Sequence, residues 1–276
     1  MRIFGIDFTS APRPAKPITC AVGWLEDGAL SILRIERWIS FTPFEAFLQQ
    51  DGPWVCGMDF PFGQPLKLIR NLGGETAWER YVAQFAQMDK REFVALLDAY
   101  RAARPPGDKQ HLRPTDRLAG AKSPMMVYGV PVGKMFYEGA RRLLNSDVSV
   151  QPCRSTNSGK IALETYPALV ARRWLSRVSY KNDTKAKQTA QRAHARNTLV
   201  SGLLSPTFGT TYGFSLHLTE NLYQDLVDDP TGDALDAVCC AVQAAWGVQQ
   251  PNYGIPPHCN PDEGWIVNPT QSHESA

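Results

Sequence analysis

No stretch of this chain is long and apolar enough to cross a bilayer, which takes about 20 residues. The longest charge-free apolar run, residues 237–248, falls well short and contains Gln243. A secretory leader is not expected either, because Asp7 stands where its apolar core would have to be. These absences predict a cytoplasmic protein with no membrane association. The six cysteines form no C-x-x-C pair and no histidine stands at zinc-finger spacing, so a structural zinc site is not expected. Several cysteines sit in apolar runs, at 54–58 and 237–241, where a free thiol acts as a small buried hydrophobe. The five histidines make no H-x-x-x-H pair, and Ser123, Ser158 and Ser205 lack the G-x-S-x-G setting. Both facts count against hydrolases built on zinc or on a serine nucleophile.

A dominant charge is also missing: 29 Lys and Arg oppose 27 Asp and Glu, for a net +2. With 43% hydrophobic residues, that balance excludes disorder, collagen and coiled coil. A length of 276 residues fits two domains, or one domain with a large insertion. The near-neutral total hides an asymmetry. Residues 172–196 hold eight basic side chains (Arg172, Arg173, Arg177, Lys181, Lys185, Lys187, Arg192, Arg196) and one acid, a local +7 that leaves −5 for the remainder. Trp174 and Tyr180 are interleaved. Such a concentration suits a polyanion such as nucleic acid, although a solvated helix face explains it as well.

Apolar patterning predicts strands over residues 2–8, 18–25 and 29–38, with Glu26-Asp27-Gly28 turning the chain between the last two. A short amphipathic helix follows at 41–50, then a buried parallel strand at 54–59 stopped by Pro61 and Gly63. From about 60 to 158 the pattern breaks into helical stretches such as 78–100 and turn-rich segments such as 103–114. This part reads as a mostly helical, irregular insertion within one domain spanning 1–276. A strand at 160–166 closed by Pro167, a long basic helical region to about 204 and a small-residue helix at 233–247 complete the plan. Beyond residue 250 we expect an edge segment and a frayed tail.

Four acids carry the chemistry. Asp7 and Asp59 end two apolar strands, and Asp233 and Asp236 stand three apart on the final helix, a spacing that places them on one face. Each alone can be a turn or helix-start residue. Asp236 is the hardest to explain that way, because its helix is otherwise almost free of charge and an unpaired buried carboxylate is costly. Crowded carboxylates repel unless a hard cation such as Mg²⁺ or Mn²⁺ neutralises them. Such ions activate water and stabilise the leaving oxygen of a phosphodiester.

The order G-I-D-F, M-D-F-P-F-G, R-P-T-D (113–116), L-E-T-Y-P-A (163–168), Y-K-N-D-T-K (180–185), G-D-A-L-D-A (232–237) and E-G-W-I (263–266) resembles the domain of unknown function 429 family, regarded as predicted RNase H-like nucleases. The resemblance covers most of the chain. It implies an α/β fold, an RNase H-like mixed sheet of three antiparallel strands followed by parallel ones, with acids on the first strand, the fourth strand and the last helix. It therefore implies Asp7, Asp59 and Asp236 as metal ligands, with Asp233 a ligand or a group behind them. Glu164 is either a fifth ligand or the partner of Arg113 or another base. The resemblance alone places Arg113 and Asp116 near the acids, Arg113 as a substrate contact; otherwise they read as a surface turn. Lys181 and Lys185 are the expected phosphate contacts. Two other readings compete. In an actin-like or sugar-kinase-like phosphotransferase the D-F-T-S run would bind phosphate, but such a loop wants glycine where Phe8 stands. In a non-catalytic nucleic-acid binder the acids would be residual.

Overall fold

The computed structural model describes residues 1–176 and 178–267; Arg177 of the basic segment and the expected tail, with His273, lie outside the described residues. The chain opens with an antiparallel meander, Arg2–Asp7 (β1), Ile18–Glu26 (β2) and Ala29–Trp38 (β3). Phe41–Gln49 (α1) leads to Trp54–Met58 (β4), which lies parallel beside β1. There follow Leu66–Asn71 (α2), Trp78–Ala86 (α3), Lys90–Ala102 (α4), Pro114–Ala119 (α5) and Val132–Leu144 (α6). The chain then rejoins the sheet as Ser149–Gln151 (β5) and Lys160–Glu164 (β6). Pro167–Leu175 (α7), Ala190–Leu203 (α8), Pro206–Tyr212 (α9), Ser215–His217 (β7), Glu220–Asp228 (α10) and Asp233–Val248 (α11) complete it. The sheet has seven strands in the order β5-β6-β4-β1-β2-β3-β7, with every pairing outside the β1–β3 meander parallel. Among the described residues no helix is long and apolar enough to cross a membrane.

Alternation along β1 divides the molecule into layers, because successive side chains of a strand point to opposite faces. Phe4 and Ile6 enter an aromatic-rich core shared with α1, α3, α4 and α6, where Phe93 stacks on Tyr137 with centroids 5.1 Å apart. Ile3 enters the opposite core, built with α7, α8 and α11. Gly5 and its register partner Gly57 on β4 share that second face. A methyl group on Gly5 would run into the backbone of Ala237, and one on Gly57 into that of Cys240, so the two glycines let α11 lie directly on the sheet centre. By the same alternation Asp7 and Asp59 fall on the α11 face.

Several expectations need correction. The 78–100 stretch is two helices, because Asp89 caps α4 by accepting from the backbone of Arg91 and Glu92 while Glu92 reaches back. Residues 60–158 are not irregular throughout: α2, α3, α4 and α6 wall one core, Ala119 of α5 packs with Leu169 and Ile266, and β5 is an edge strand of the common sheet. The basic region is not one helix. It stops at Ser176, which has φ +52°, and becomes helical again only at Ala190 after a 3-10 turn at Lys185–Lys187. β7 had no counterpart in the reading of the sequence; it is three residues long, below the length at which periodicity is legible. The expected edge segment is present, with Ile266 bridged beside Glu164.

Candidate functional site

Asp7 is the last residue of β1, and Asp59 follows the last residue of β4. The backbone N–H of Asp59 donates to the carbonyl of Ile6 at 2.9 Å, so the parallel register carries both acids to the same carboxyl end of the sheet. Asp233 and Asp236 occupy the first turn of α11 directly above them. That turn is anchored by Asp229, whose carboxylate accepts from Thr231 and from the backbone of Ala234. Gly232 precedes it with φ +71°, and a Cβ there would press on the side chain of Lys181. All four sequence-derived acids are thus brought to one place. Asp7, Asp233 and Asp236 are buried and Asp59 is half-buried.

Two lysines enter this cluster. Lys16 donates to Asp233 at 2.8 Å and to Asp183 at 3.2 Å. Lys181 pairs with Asp236, which also accepts from the Tyr180 hydroxyl. The Y-K-N-D segment is therefore a strap across the start of α11, held further by Asn182 N–H donating to the Pro230 carbonyl at 3.1 Å. Four carboxylates face two ammonium groups, and the shortfall falls on the other pair of acids. Burial, then the charge of Asp233, pushes the Asp7 carboxyl well above the ordinary carboxylate range, against the pull of Lys181. Burial likewise pushes Asp59 up to about 7, with Lys181 pulling down and Glu164 pushing up. Among the described residues no donor reaches either carboxylate. Lys16 and the Tyr180 contact were not found from sequence. Lys16 sits in the proline-rich connector between β1 and β2, pinned by its backbone pairing with Arg13, and its place in the connector that leaves the first-strand acid was the available signal.

Among the described residues no three of His, Cys, Asp and Glu form a metal-holding group. Asp233 is paired with Lys16 and Asp236 with Lys181. Asp7 and Asp59 still suit a hard cation: Mg²⁺ is commonly bound through one or two carboxylates with the remaining positions kept by water. The Thr19 hydroxyl, on the residue paired with Asp7 across β1 and β2, is fully buried and has no partner among the described residues. An ion-bound water is the kind of group that would satisfy it.

Arg113, Asp116 and Glu164 behave differently. Arg113 is 1% exposed and not in a surface turn, which corrects that expectation. Its guanidinium spans both acids, reaching Asp116 at 2.7 and 3.0 Å and Glu164 at 2.5 and 2.9 Å, and it donates to the Glu263 carbonyl at 2.8 Å. The same Glu164 oxygen that sits at 2.9 Å accepts from the backbone N–H of Phe62 at 2.9 Å. The Arg113 pairing that the sequence offered for Glu164 is what the structure contains, and no oxygen of Glu164 is left without a partner.

The basic segment is scattered in use. Arg196 is buried and donates to the carbonyls of Val227 and Tyr180; Arg172 reaches the Ala119 carbonyl and the Tyr166 hydroxyl. Lys185 is exposed and makes no ion pair among the described residues.

The model of a family described as "Protein of unknown function (DUF429)" matches residues 5–258. No curated protein and no solved structure matches the chain.

Proposed function

The chain belongs to the DUF429 family, whose function is unknown, and from that premise we propose that it is a divalent-metal-dependent nuclease of RNase H-like architecture, with α2, α3, α4 and α6 of residues 60–158 an elaboration on one face. The observation that carries this reading is the pair Asp7 and Asp59. They are two adjacent carboxylates at the carboxyl end of a mixed sheet, with raised affinity for protons and no hydrogen-bonding partner among the described residues. A cluster that leaves charge uncompensated at an open edge is poised for a cation. The strand order β3-β2-β1-β4-β6 and the acids on the first strand, the fourth strand and the last helix support the architectural part, as the family resemblance implied.

Asp7 and Asp59 would hold Mg²⁺ or Mn²⁺. Asp236, held by Tyr180 and Lys181, and Asp233, held by Lys16, would contribute only with those pairs opened. The ion would supply activation of a water and stabilisation of the leaving oxygen of a phosphodiester. Lys181, with its side chain 41% exposed, is placed to contact a phosphate at the cluster, and exposed Lys185 continues the positive track. The setting we propose is cytoplasmic, consistent with the six unpaired thiols.

Labelled single-stranded, duplex and branched DNA and RNA, incubated with millimolar Mn²⁺, test the reading. Cleavage should require the ion and vanish in Asp7→Asn and Asp59→Asn proteins whose melting temperatures match wild type. Nucleic-acid binding with no cleavage of any substrate would instead establish the non-catalytic binder, which the lysine neutralisation of Asp233 and Asp236 favours.

A further inference from the structure

Next to the acid cluster the molecule contains a cavity of about 230 Å³, and Asp59 belongs to both. Its walls include Phe60, Val132, Met135 and Tyr166, and Val130 stands 55% exposed in its lining. We propose that this cavity receives one nucleobase of the strand whose phosphate lies at Asp7 and Asp59, so that the substrate is single-stranded or splayed nucleic acid; the inference rests on the nuclease reading of those acids.

Three features select a base over other occupants. The first is charge. With Asp59 given to the cation, Asp116 and Glu164 balance Arg113 and Lys122 around the cavity, so it offers a phosphate no surplus of positive charge and accepts a neutral ring. The second is wall chemistry. Apolar and aromatic surfaces suit the faces of a heteroaromatic ring, and Tyr166 is a stiff wall because its hydroxyl accepts from Arg172 at 3.2 Å under a guanidinium 5.3 Å from its ring centroid. The third is a polar group in the wall. Thr165 lines the cavity and is 2% exposed; its hydroxyl lies beside the Cys240 thiol, and because a hydroxyl donates once and accepts twice it keeps capacity for a base edge. The volume admits one ring system and not a base pair, so a paired base must first leave its stack.

Calorimetric titration in EDTA with adenosine 5′-monophosphate and with ribose 5-phosphate tests the proposal. The nucleotide should bind at least ten-fold more tightly. That advantage should disappear in Val132→Trp and in Ala121→Phe, each of which fills the cavity, with melting temperature as the control for folding. Equal binding of the two probes overturns the proposal, as does an advantage that survives in a folded filled variant. A scan that needs no variant places one abasic position along a single-stranded oligonucleotide. With Mn²⁺, cutting at the phosphate next to it should fall at least ten-fold, and even cutting along the scan overturns the proposal. Nucleotide binding that the filled variants abolish, in a protein that cuts nothing, sustains the base pocket and removes the nuclease reading.

Discussion

Two groups of carboxylates meet at one cavity, which Asp59, Asp116 and Glu164 all line, and they are built on opposite principles. Around Arg113 the charges are matched to hydrogen bonds: one guanidinium bridges Asp116 and Glu164, and the Phe62 N–H also donates to Glu164. Around α11, four acids share Lys16 and Lys181, and among the described residues no donor reaches Asp7 or Asp59. A closed network of this kind fastens α5, β6 and the segment at Glu263 together. An open one is held in place by the rest of the fold at an electrostatic cost, and it is relieved by whatever cation arrives.

The sharpest way to break this contrast is to open the closed network. Arg113→Met strands two carboxylates in the interior and should destabilise the protein by about 3–5 kcal/mol, read by urea unfolding. Adding Glu164→Gln to that variant should recover part of the loss, since one stranded charge is removed. A loss near zero for Arg113→Met would show that the two clusters do not differ in kind.

The next largest effect belongs to the open cluster. Mn²⁺ at one hundred times its dissociation constant should stabilise the folded state by about 2.7 kcal/mol, visible as a rise in melting temperature. Asp7→Asn should abolish the rise. If the same rise appears in that variant, the ion binds elsewhere.

Acidity gives a third handle. Asp59 in the folded protein titrates at about 7, above the ordinary carboxylate range. Between those values the native state keeps a proton that the unfolded chain has released, so metal-free stability should fall as pH rises from about 4 to 7 and level off above. A rise of that size corresponds to about 4 kcal/mol at full burial and to roughly half of that for a carboxylate partly open to water. Asp59→Asn should flatten the profile in EDTA, and saturating Mn²⁺ should do the same in wild type. A wild-type profile parallel to that of Asp59→Asn would mean that the carboxylate is not under pressure.

The smallest effect separates the two uses of lysine. If Lys181 and Lys185 both contact phosphate, the double alanine variant should lower the slope of log affinity against log salt by about 2, near 0.9 per contact on duplex. If Lys181 serves only Asp236, the slope should change by about 1.

Much of this was legible in the chain itself, and for a definite reason. The β1–β3 meander, β4, α1 and α11 were read correctly because alternation and helical spacing are local. Asp7, Asp59, Asp233 and Asp236 were found because they sit where those elements end. The burial of Arg113 was missed because its partner Glu164 lies 51 residues away, and its own surroundings in sequence are turn-forming. The basic segment was overextended into one helix because composition records charge and not the break at Ser176.

The sequence by itself determined which faces of the strands are apolar, where helices start, that the acids end their elements and that the chain is a DUF429 member. Which charge meets which was decided only in three dimensions. Lys16 finds Asp233 across 217 residues, and Lys181 finds Asp236 across 55. Ion pairing depends on separation in space and on how much water is excluded between the partners. Neither quantity has a period along the chain, so the division between a closed and an open cluster exists only once the sheet and α11 have come together.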